Sequence, residues 1–124
     1  MQVGDVLSWD RTFTEEDVRL FSQISGDLGT HHVQPDQQGR IMVQGLLTAT
    51  LPTKLGGDLN YIARQLVFDF LRPVFVGDTI HCEMTVTHLE QLEERLNMAA
   101  TWVCRNQKGK EVLTGHTYGI ILSS

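Results

Sequence analysis

Four long segments in the C-terminal half of the chain show strand-like patterns, and they constrain the fold more than any other feature of the sequence. They cover residues 61–70, 79–90, 95–105 and 111–122. A period of two is typical of strands with one buried face, and the connection 106–110 has hairpin length, so an antiparallel meander is predicted. The alternating apolar positions of the second and third segments are Ile80, Cys82, Met84, Val86, Leu96, Met98, Ala100, Trp102 and Cys104.

One segment rich in Leu and Ala, from Gly45 to Leu55, precedes these strands. Its apolar residues lie on nearly all sides, which indicates a helix buried in the protein, and Pro52 should kink that helix or force an irregular turn. A buried helix followed by long antiparallel strands predicts an α+β fold with a curved sheet wrapped around the helix. A chain of 124 residues has the size of one domain, so we expect a single domain over residues 1–124.

The N-terminal part of the chain predicts a short strand at residues 6–12 and a helix from Thr14 to about Ser25. Thr14 can accept hydrogen bonds from the first turn, and the acidic residues after it favour the positive end of the helix. Gly26 is suited to end the helix. Apolar residues at helical spacing predict one buried stripe made of Val18, Leu20, Phe21 and Ile24.

The charge pattern argues against several classes of partner. The net charge is −5 and the ten Lys and Arg residues are scattered, so we expect neither nucleic acid nor a membrane as partner. Residues 1–5 lack the basic and apolar regions of a targeting signal, which predicts a cytoplasmic protein. Cys82 and Cys104 lie outside any metal-binding spacing, and we expect buried thiols there, with a disulfide as the alternative. We expect no metal and no cofactor.

The strongest candidate for chemistry is an acid and an imidazole five positions apart, Asp27 and His32, in an irregular segment after the first helix. Histidine titrates near neutral pH, and an acid beside it can hold a water molecule or pass on a proton. The spacing alone is weak evidence, and a catalytic pair is one of two interpretations. The alternative is a hydrogen bond at the helix end together with ordinary surface histidines, and His31 competes with His32 for the same role.

Gly45 is a second candidate, because it stands where the central helix begins. The first N–H groups of a helix have no partner within the helix, so the Gly45 N–H can polarise a carbonyl oxygen. The alternative is that Gly45 only permits a tight turn into the helix.

At this point the sequence resembles the MaoC-like dehydratases, the hot-dog-fold family that contains the (R)-specific enoyl-CoA hydratases. The family pattern has a capped helix that ends in Ser-Gly-Asp, a His five residues after that Asp, a Val-His-Gly before the central helix, and a Phe-x-x-Pro-Val-x-x-Gly-Asp segment before the long strands. The chain departs from the pattern at Gly29, Thr30 and Gln44. The matching residues are Phe13, Thr14, Asp17, Ser25–Gly26–Asp27, His32, Val43, Gly45, Phe70, Pro73, Val74, Gly77 and Asp78.

The resemblance implies hydration of a trans-2-enoyl thioester of CoA or an acyl carrier protein, or the reverse dehydration, in a homodimer or a larger homo-oligomer. It assigns water activation to His32, water orientation and proton delivery to Asp27, and a bond to the thioester oxygen to Gly45. Gln44 is expected to support the Gly45 N–H, and Thr53 falls where relatives place a supporting hydroxyl. The alternatives are an acyl-CoA thioesterase on the same fold and a non-catalytic subunit that binds acyl thioesters.

Overall fold

The computed structural model of the protein describes residues 1–122, which fold into one antiparallel sheet and a layer of helices. The first strand is β1 at Val6–Thr12. The helices are α1 at Glu15–Ser25, α2 at Thr30–Val33, α3 at Gly45–Thr48 and α4 at Thr50–Asp58. The remaining strands are β2 at Tyr61–Phe70, β3 at Thr79–Gln91, β4 at Arg95–Arg105 and β5 at Glu111–Leu122.

The five strands form one sheet in the order β1-β3-β4-β5-β2, and every neighbouring pair is antiparallel. The meander predicted for the C-terminal half is therefore confirmed, and so are the four predicted segments, except that β3 extends one residue further to Gln91. Helix α4 packs against β1, β2 and β3. The predicted α+β fold, a long sheet wrapped around a central helix, is confirmed.

The core lies between the inner face of the sheet and the central helix. The alternating residues of β3 and β4 are buried as predicted, and only Leu96 among them is half-buried. Full burial of such a side chain contributes about 1.5–3 kcal/mol relative to exposure, so this face supplies much of the driving force for folding.

Cys82 and Cys104 are directly opposite each other on β3 and β4, and both thiols are free and buried. A hydrogen bond that the Cys82 thiol donates to the Cys104 sulfur, together with burial, raises the pKa of Cys82 well above its ordinary value. The Cys82 thiol therefore stays protonated. The expectation that both cysteines are buried free thiols is confirmed for the described structure.

Helix α1 begins and ends as predicted, but its buried stripe is narrower than predicted. Thr14 and Asp17 form a reciprocal capping box, and Gly26 adopts the left-handed conformation with φ of 75°. Only Val18 and Ser22 of this helix are buried, whereas the side chain of Ile24 is 85% exposed. The prediction was wrong for Leu20 and Ile24, because α1 lies on the rim of the molecule and presents one narrow face to the core.

The central helix is interrupted where proline removes a hydrogen bond. Pro52 has no N–H for the Thr48 carbonyl, and the helix divides between α3 and α4 at Ala49. The predicted burial on nearly all sides was wrong: Leu47, Leu51 and Leu55 are buried, but Leu46 is 60% exposed. Across residues 1–122 no helix has both the length and the apolar character needed to cross a membrane.

Candidate active site

The end of α1 positions the first candidate residue, Asp27. The left-handed Gly26 ends the helix, and the Asp27 N–H then donates to Ser25 Oγ over 3.0 Å. The Asp27 carboxylate in turn accepts the Gly29 N–H at Oδ1 over 3.1 Å. These two local bonds form a tight turn after the helix, which leaves Oδ2 free to point toward His32.

The His32 ring is held in one orientation by the protein backbone. His32 lies on the short helix α2, and only 7% of its surface is exposed. Its Nδ1 atom is 2.7 Å from the Met42 carbonyl oxygen. A carbonyl oxygen only accepts hydrogen bonds, so Nδ1 carries the proton and the neutral ring has a free lone pair at Nε2.

That lone pair faces the Asp27 carboxylate, with 3.5 Å between His32 Nε2 and Asp27 Oδ2. The carboxylate is about half exposed, whereas the imidazole is buried. Two acceptors at this separation can each take one hydrogen of the same water molecule, which would aim the water oxygen away from both. The geometry suits a general base assisted by an acid that also orients the water.

The competing imidazole, His31, lines the same pocket as His32, but it is more exposed. Its ring is exposed and lies 3.9 Å from the His32 ring, centroid to centroid. Among residues 1–122, the Asp27 carboxylate forms its ion-pair contact with His32 and none with His31. The backbone of His31 has a supporting role, because its carbonyl accepts the Met42 N–H over 3.0 Å.

Met42 is itself held by the segment that follows β2. Met42 forms an isolated antiparallel β-bridge with Phe75. On either side of this bridge, the Val43 N–H donates to the Val74 carbonyl over 2.7 Å, and the Val76 N–H donates to the Ile41 carbonyl over 2.9 Å. The segment between Phe70 and Asp78 therefore positions the carbonyl that fixes the His32 tautomer.

The structure brings Gly45 and His32 to the same pocket, which has a volume of about 340 Å³. The Gly45 N–H has no acceptor within residues 1–122, so its donor capacity is unused. A Cβ at this position would come within 2.8 Å of the Phe70 ring, which therefore covers the bare glycine backbone. The pocket wall continues through Leu71, Arg72 and Pro73.

Gln44 is buried behind this pocket and joins α1 to α3. Its Nε2 donates to the Val18 carbonyl over 3.1 Å and to Ser22 Oγ over 2.9 Å. Its backbone carbonyl accepts from the Leu47 and Thr48 N–H groups at the start of the helix. Gln44 thus supports the position of the Gly45 N–H through the backbone.

Thr53 is not brought together with the other candidates. It lies on the exposed side of α4 beside a separate cavity of about 170 Å³, with Tyr61 and Trp102 among its lining residues. Its hydroxyl donates to the Ala49 carbonyl over 2.9 Å, at the point where the helix is interrupted.

Two residues of the site were not identified from the sequence. Met42 contributes only a backbone carbonyl, for which a sequence gives no signal. Thr48 lines the same pocket as Gly45, and its buried hydroxyl oxygen has no partner among residues 1–122. Its position three residues after Gly45, on the same helix face, is a signal that sequence reasoning could have used. Within residues 1–122 no cluster of three or more potential metal ligands occurs.

No family model matches the chain. The structure is similar to that of the (R)-hydratase from A. caviae involved in PHA biosynthesis, with a TM-score of 0.86, 27% sequence identity, and coverage of 98% of this chain and 97% of that one.

Two curated sequences are also similar. An (R)-specific enoyl-CoA hydratase of Rhodospirillum rubrum is 31% identical over 97 residues, covering 69% of this chain and 66% of that protein. A mitochondrial 3-hydroxyacyl-(acyl-carrier-protein) dehydratase of Solanum lycopersicum is 24% identical over 132 residues, covering 99% of this chain and 79% of that protein.

Proposed function

We propose that this chain, which belongs to the family of MaoC-like dehydratases and (R)-specific enoyl-CoA hydratases, adds water to trans-2-enoyl thioesters or removes it from (R)-3-hydroxyacyl thioesters. The observation that carries the proposal is the His32 ring, with Nδ1 bonded to the Met42 carbonyl and Nε2 turned toward Asp27. The names of the similar proteins agree with this chemistry.

Hydration makes three demands on the site, and three groups of this chain are suited to them. The water oxygen forms a bond to Cβ while His32 Nε2 takes one of its protons. The π electrons move toward the thioester carbonyl, whose oxygen gains negative charge and accepts the Gly45 N–H. A proton then passes to Cα through the pair of His32 and Asp27, so that the net change is one hydroxyl on Cβ and one hydrogen on Cα.

Gln44 is a positioning residue in this scheme, and Thr53 is separate from it. The buried Gln44 amide holds the start of α3 against α1, which keeps the Gly45 N–H directed at the pocket. The Thr53 hydroxyl bonds to the Ala49 carbonyl and lines the cavity on the side of Trp102, so we assign it to the helix break rather than to the reacting atoms.

The test is a product assay on purified protein with trans-2-enoyl-CoA of several chain lengths. Loss of the ultraviolet absorbance of the conjugated thioester and formation of the (R)-3-hydroxyacyl product would support the proposal. Release of free thiol without hydration would identify a thioesterase. Saturable binding of the thioester without either reaction would identify a non-catalytic binding subunit and contradict the proposal.

We further propose that the protein acts as a homodimer formed through β2. Within residues 1–122, β2 pairs with β5 alone, so its other edge is open over ten residues. The side chains of Ile62, Leu66 and Phe70 on this edge are each about half exposed. A long, apolar, open edge favours pairing with a second strand. Light scattering coupled to size exclusion should give a dimer mass, and Leu66→Glu should reduce it to that of one chain.

For the cell compartment we propose the cytoplasm. Two thiols that face each other across neighbouring strands and remain unbridged agree with a reducing environment.

A further inference from the structure

A second pocket, which shares no lining residue with the pocket of His32 and Gly45, lies on the outer face of the sheet. Its volume is about 320 Å³, and Ala99 and Ile120 form part of its floor. The floor residues lie on the paired strands β4 and β5, where Ala99 is opposite Tyr118 and Asn97 is opposite Ile120. Ile120 is buried by the surrounding side chains although it faces away from the core. The walls are polar: Arg64, His88, Arg95, Asn97 and Tyr118.

Two irregularities in the sheet shape this pocket from opposite sides. The register of β2 against β5 shifts between Ala63 and Gln65, so Arg64 is the extra residue of a bulge. The register of β3 against β4 shifts between Val86 and His88. Bulges redirect side chains and are frequent beside functional sites. Here they lie on either side of the β4–β5 pair, and Arg64 and His88 at the two irregular positions line the same pocket.

The two arginines of the pocket also differ from the other arginines of the chain. Within residues 1–122, Arg64 and Arg95 have no carboxylate or carbonyl partner, although the chain carries a net charge of −5. The neighbouring carboxylate of Glu90 accepts a hydrogen bond from Asn97 Nδ2 over 3.1 Å. The other five arginines all have an acidic or carbonyl partner: Arg11, Arg19, Arg40, Arg72 and Arg105.

We propose that this outer pocket binds a phosphate ester. Guanidinium groups match phosphate oxygens with paired N–H donors, and two of them converge here without a competing acid of their own. The Tyr118 hydroxyl and the His88 ring add further polar contacts, and the rings offer flat surfaces for an organic group attached to the phosphate. The ligand chemistry has two possible sources, the nucleotide part of a CoA thioester and a separate nucleotide.

The first test measures binding without turnover, so its result is independent of the proposed reaction. Adenosine 3′,5′-bisphosphate is titrated by calorimetry, at low ionic strength, into the wild-type protein and into the double variant Arg64→Gln, Arg95→Gln. We expect saturable binding that weakens by about tenfold or more in the double variant, which loses two charge-assisted contacts.

Arg105→Gln is the matched control, because Arg105 lies on the same outer face of β4 but pairs with Glu111. It should change the affinity by less than about twofold, as expected for a charge outside the pocket. The proposal would be overturned if the wild type showed no saturable binding. It would also be overturned if Arg105→Gln weakened binding as much as the double variant does, because binding would then depend on the overall charge and not on the pocket.

A second measurement distinguishes the two sources of the ligand. If the pocket holds the phosphates of the substrate, the double variant should raise KM for an enoyl-CoA thioester and leave KM for the matching enoyl-pantetheine thioester unchanged. If the ligand is a separate nucleotide, both KM values should stay as in the wild type while binding of the bisphosphate is lost. Each of these outcomes supports the pocket and names its source.

Discussion

The meander of β3, β4 and β5 and the segment from Gly26 to Gly45 are held in place in different ways. In the meander every second residue is buried from Ile80 to Val86 of β3 and from Met98 to Cys104 of β4, and each strand is bonded along its length to a neighbour. In the segment, the geometry depends on single contacts such as His32 Nδ1 to the Met42 carbonyl and Gln44 to Ser22. The difference teaches that stability and chemistry rest on separate residues, so substitutions should be able to remove one and leave the other.

The largest expected effect is on turnover, at the catalytic pair. Asp27→Asn and His32→Ala should each lower kcat by about 100- to 10,000-fold, the usual contribution of acid–base groups. Neither change should unfold the protein, because neither residue belongs to the apolar pattern of the core. The measurement is steady-state hydration of enoyl-CoA, with circular dichroism as the check on folding.

His31→Ala is the matched control, since it removes the neighbouring imidazole, whose ring is exposed. Its effect should be mild. A loss below tenfold for His32→Ala together with a large loss for His31→Ala would show that the wrong imidazole has been chosen.

A substitution in the meander, away from Asp27 and His32, should instead lower stability and leave turnover unchanged. Ile80 is fully buried on the inner face of β3, and Ile80→Ala should lower the free energy of unfolding by about 2–5 kcal/mol. Activity per folded molecule should stay close to that of the wild type. Urea unfolding and kcat/KM are measured on the same preparation. A proportional fall in both quantities would mean that core and site are coupled more closely than the contacts indicate.

The same contrast explains what could be predicted from the sequence. Strand bounds and buried faces followed from alternation, because burial repeats over many residues and one local irregularity does not change the pattern. Asp27, His32 and Gly45 were found by spacing and family resemblance, and the structure brings Asp27 close to His32 and puts His32 and Gly45 in one pocket.

Other features escaped prediction, each for a physical reason. The exposure of Ile24 depends on where α1 lies on the molecule, which helical periodicity alone does not give. An irregularity at Pro52 was predicted, but the sequence does not distinguish a kinked helix from the observed division into two helices at Ala49. The Met42 carbonyl is a backbone group and has no residue preference.

Substitution of Gln44 should change activity less than substitution of Asp27 or His32. Family members carry a His at this position, and a neutral amide cannot replace an imidazole in proton transfer. We predict that Gln44→His changes kcat/KM by less than about tenfold, equivalent to about 1.4 kcal/mol, because the residue positions α3 and does not touch the reacting atoms. A rise of several hundredfold in the variant would instead mean that position 44 is catalytic and that this chain has lost that function.

Removing the Thr48 hydroxyl should change stability and activity in opposite directions. Its hydroxyl is buried without a partner, so Thr48→Val should raise the free energy of unfolding by about 1 kcal/mol. If the hydroxyl bonds to the thioester in the pocket, kcat/KM should fall about two- to tenfold, the value of one hydrogen bond. Thr48→Ser keeps the hydroxyl and serves as the control. A less stable Thr48→Val protein would contradict this assignment and indicate a structural role.

The smallest effect concerns His81, on the exposed side of the sheet. His81 is opposite Asp10 of β1 and bonds to its carboxylate through Nδ1, while Nε2 lies 3.2 Å from Glu83 Oε1. The hydrogen bond to Asp10, followed by the charge of Asp10 and the contact with Glu83, raises the pKa of His81 above 6.5. Arg105 is the residue opposite His81 on β4, and its guanidinium pairs with Glu111.

A pKa raised on folding means that the folded state favours the protonated ring. The stabilisation is therefore complete below the unfolded value of about 6.5 and is lost as the pH rises through the higher folded value. Because the ring is 43% exposed, solvent screening limits the contribution to about 1 kcal/mol or less. Urea unfolding of the wild type and of His81→Gln at about pH 6 and pH 8.5 measures this contribution. The difference in the free energy of unfolding between the two proteins should be smaller at the higher pH. A difference that grew with pH would contradict the assignment, whereas kcat should be unaffected by the substitution at either pH.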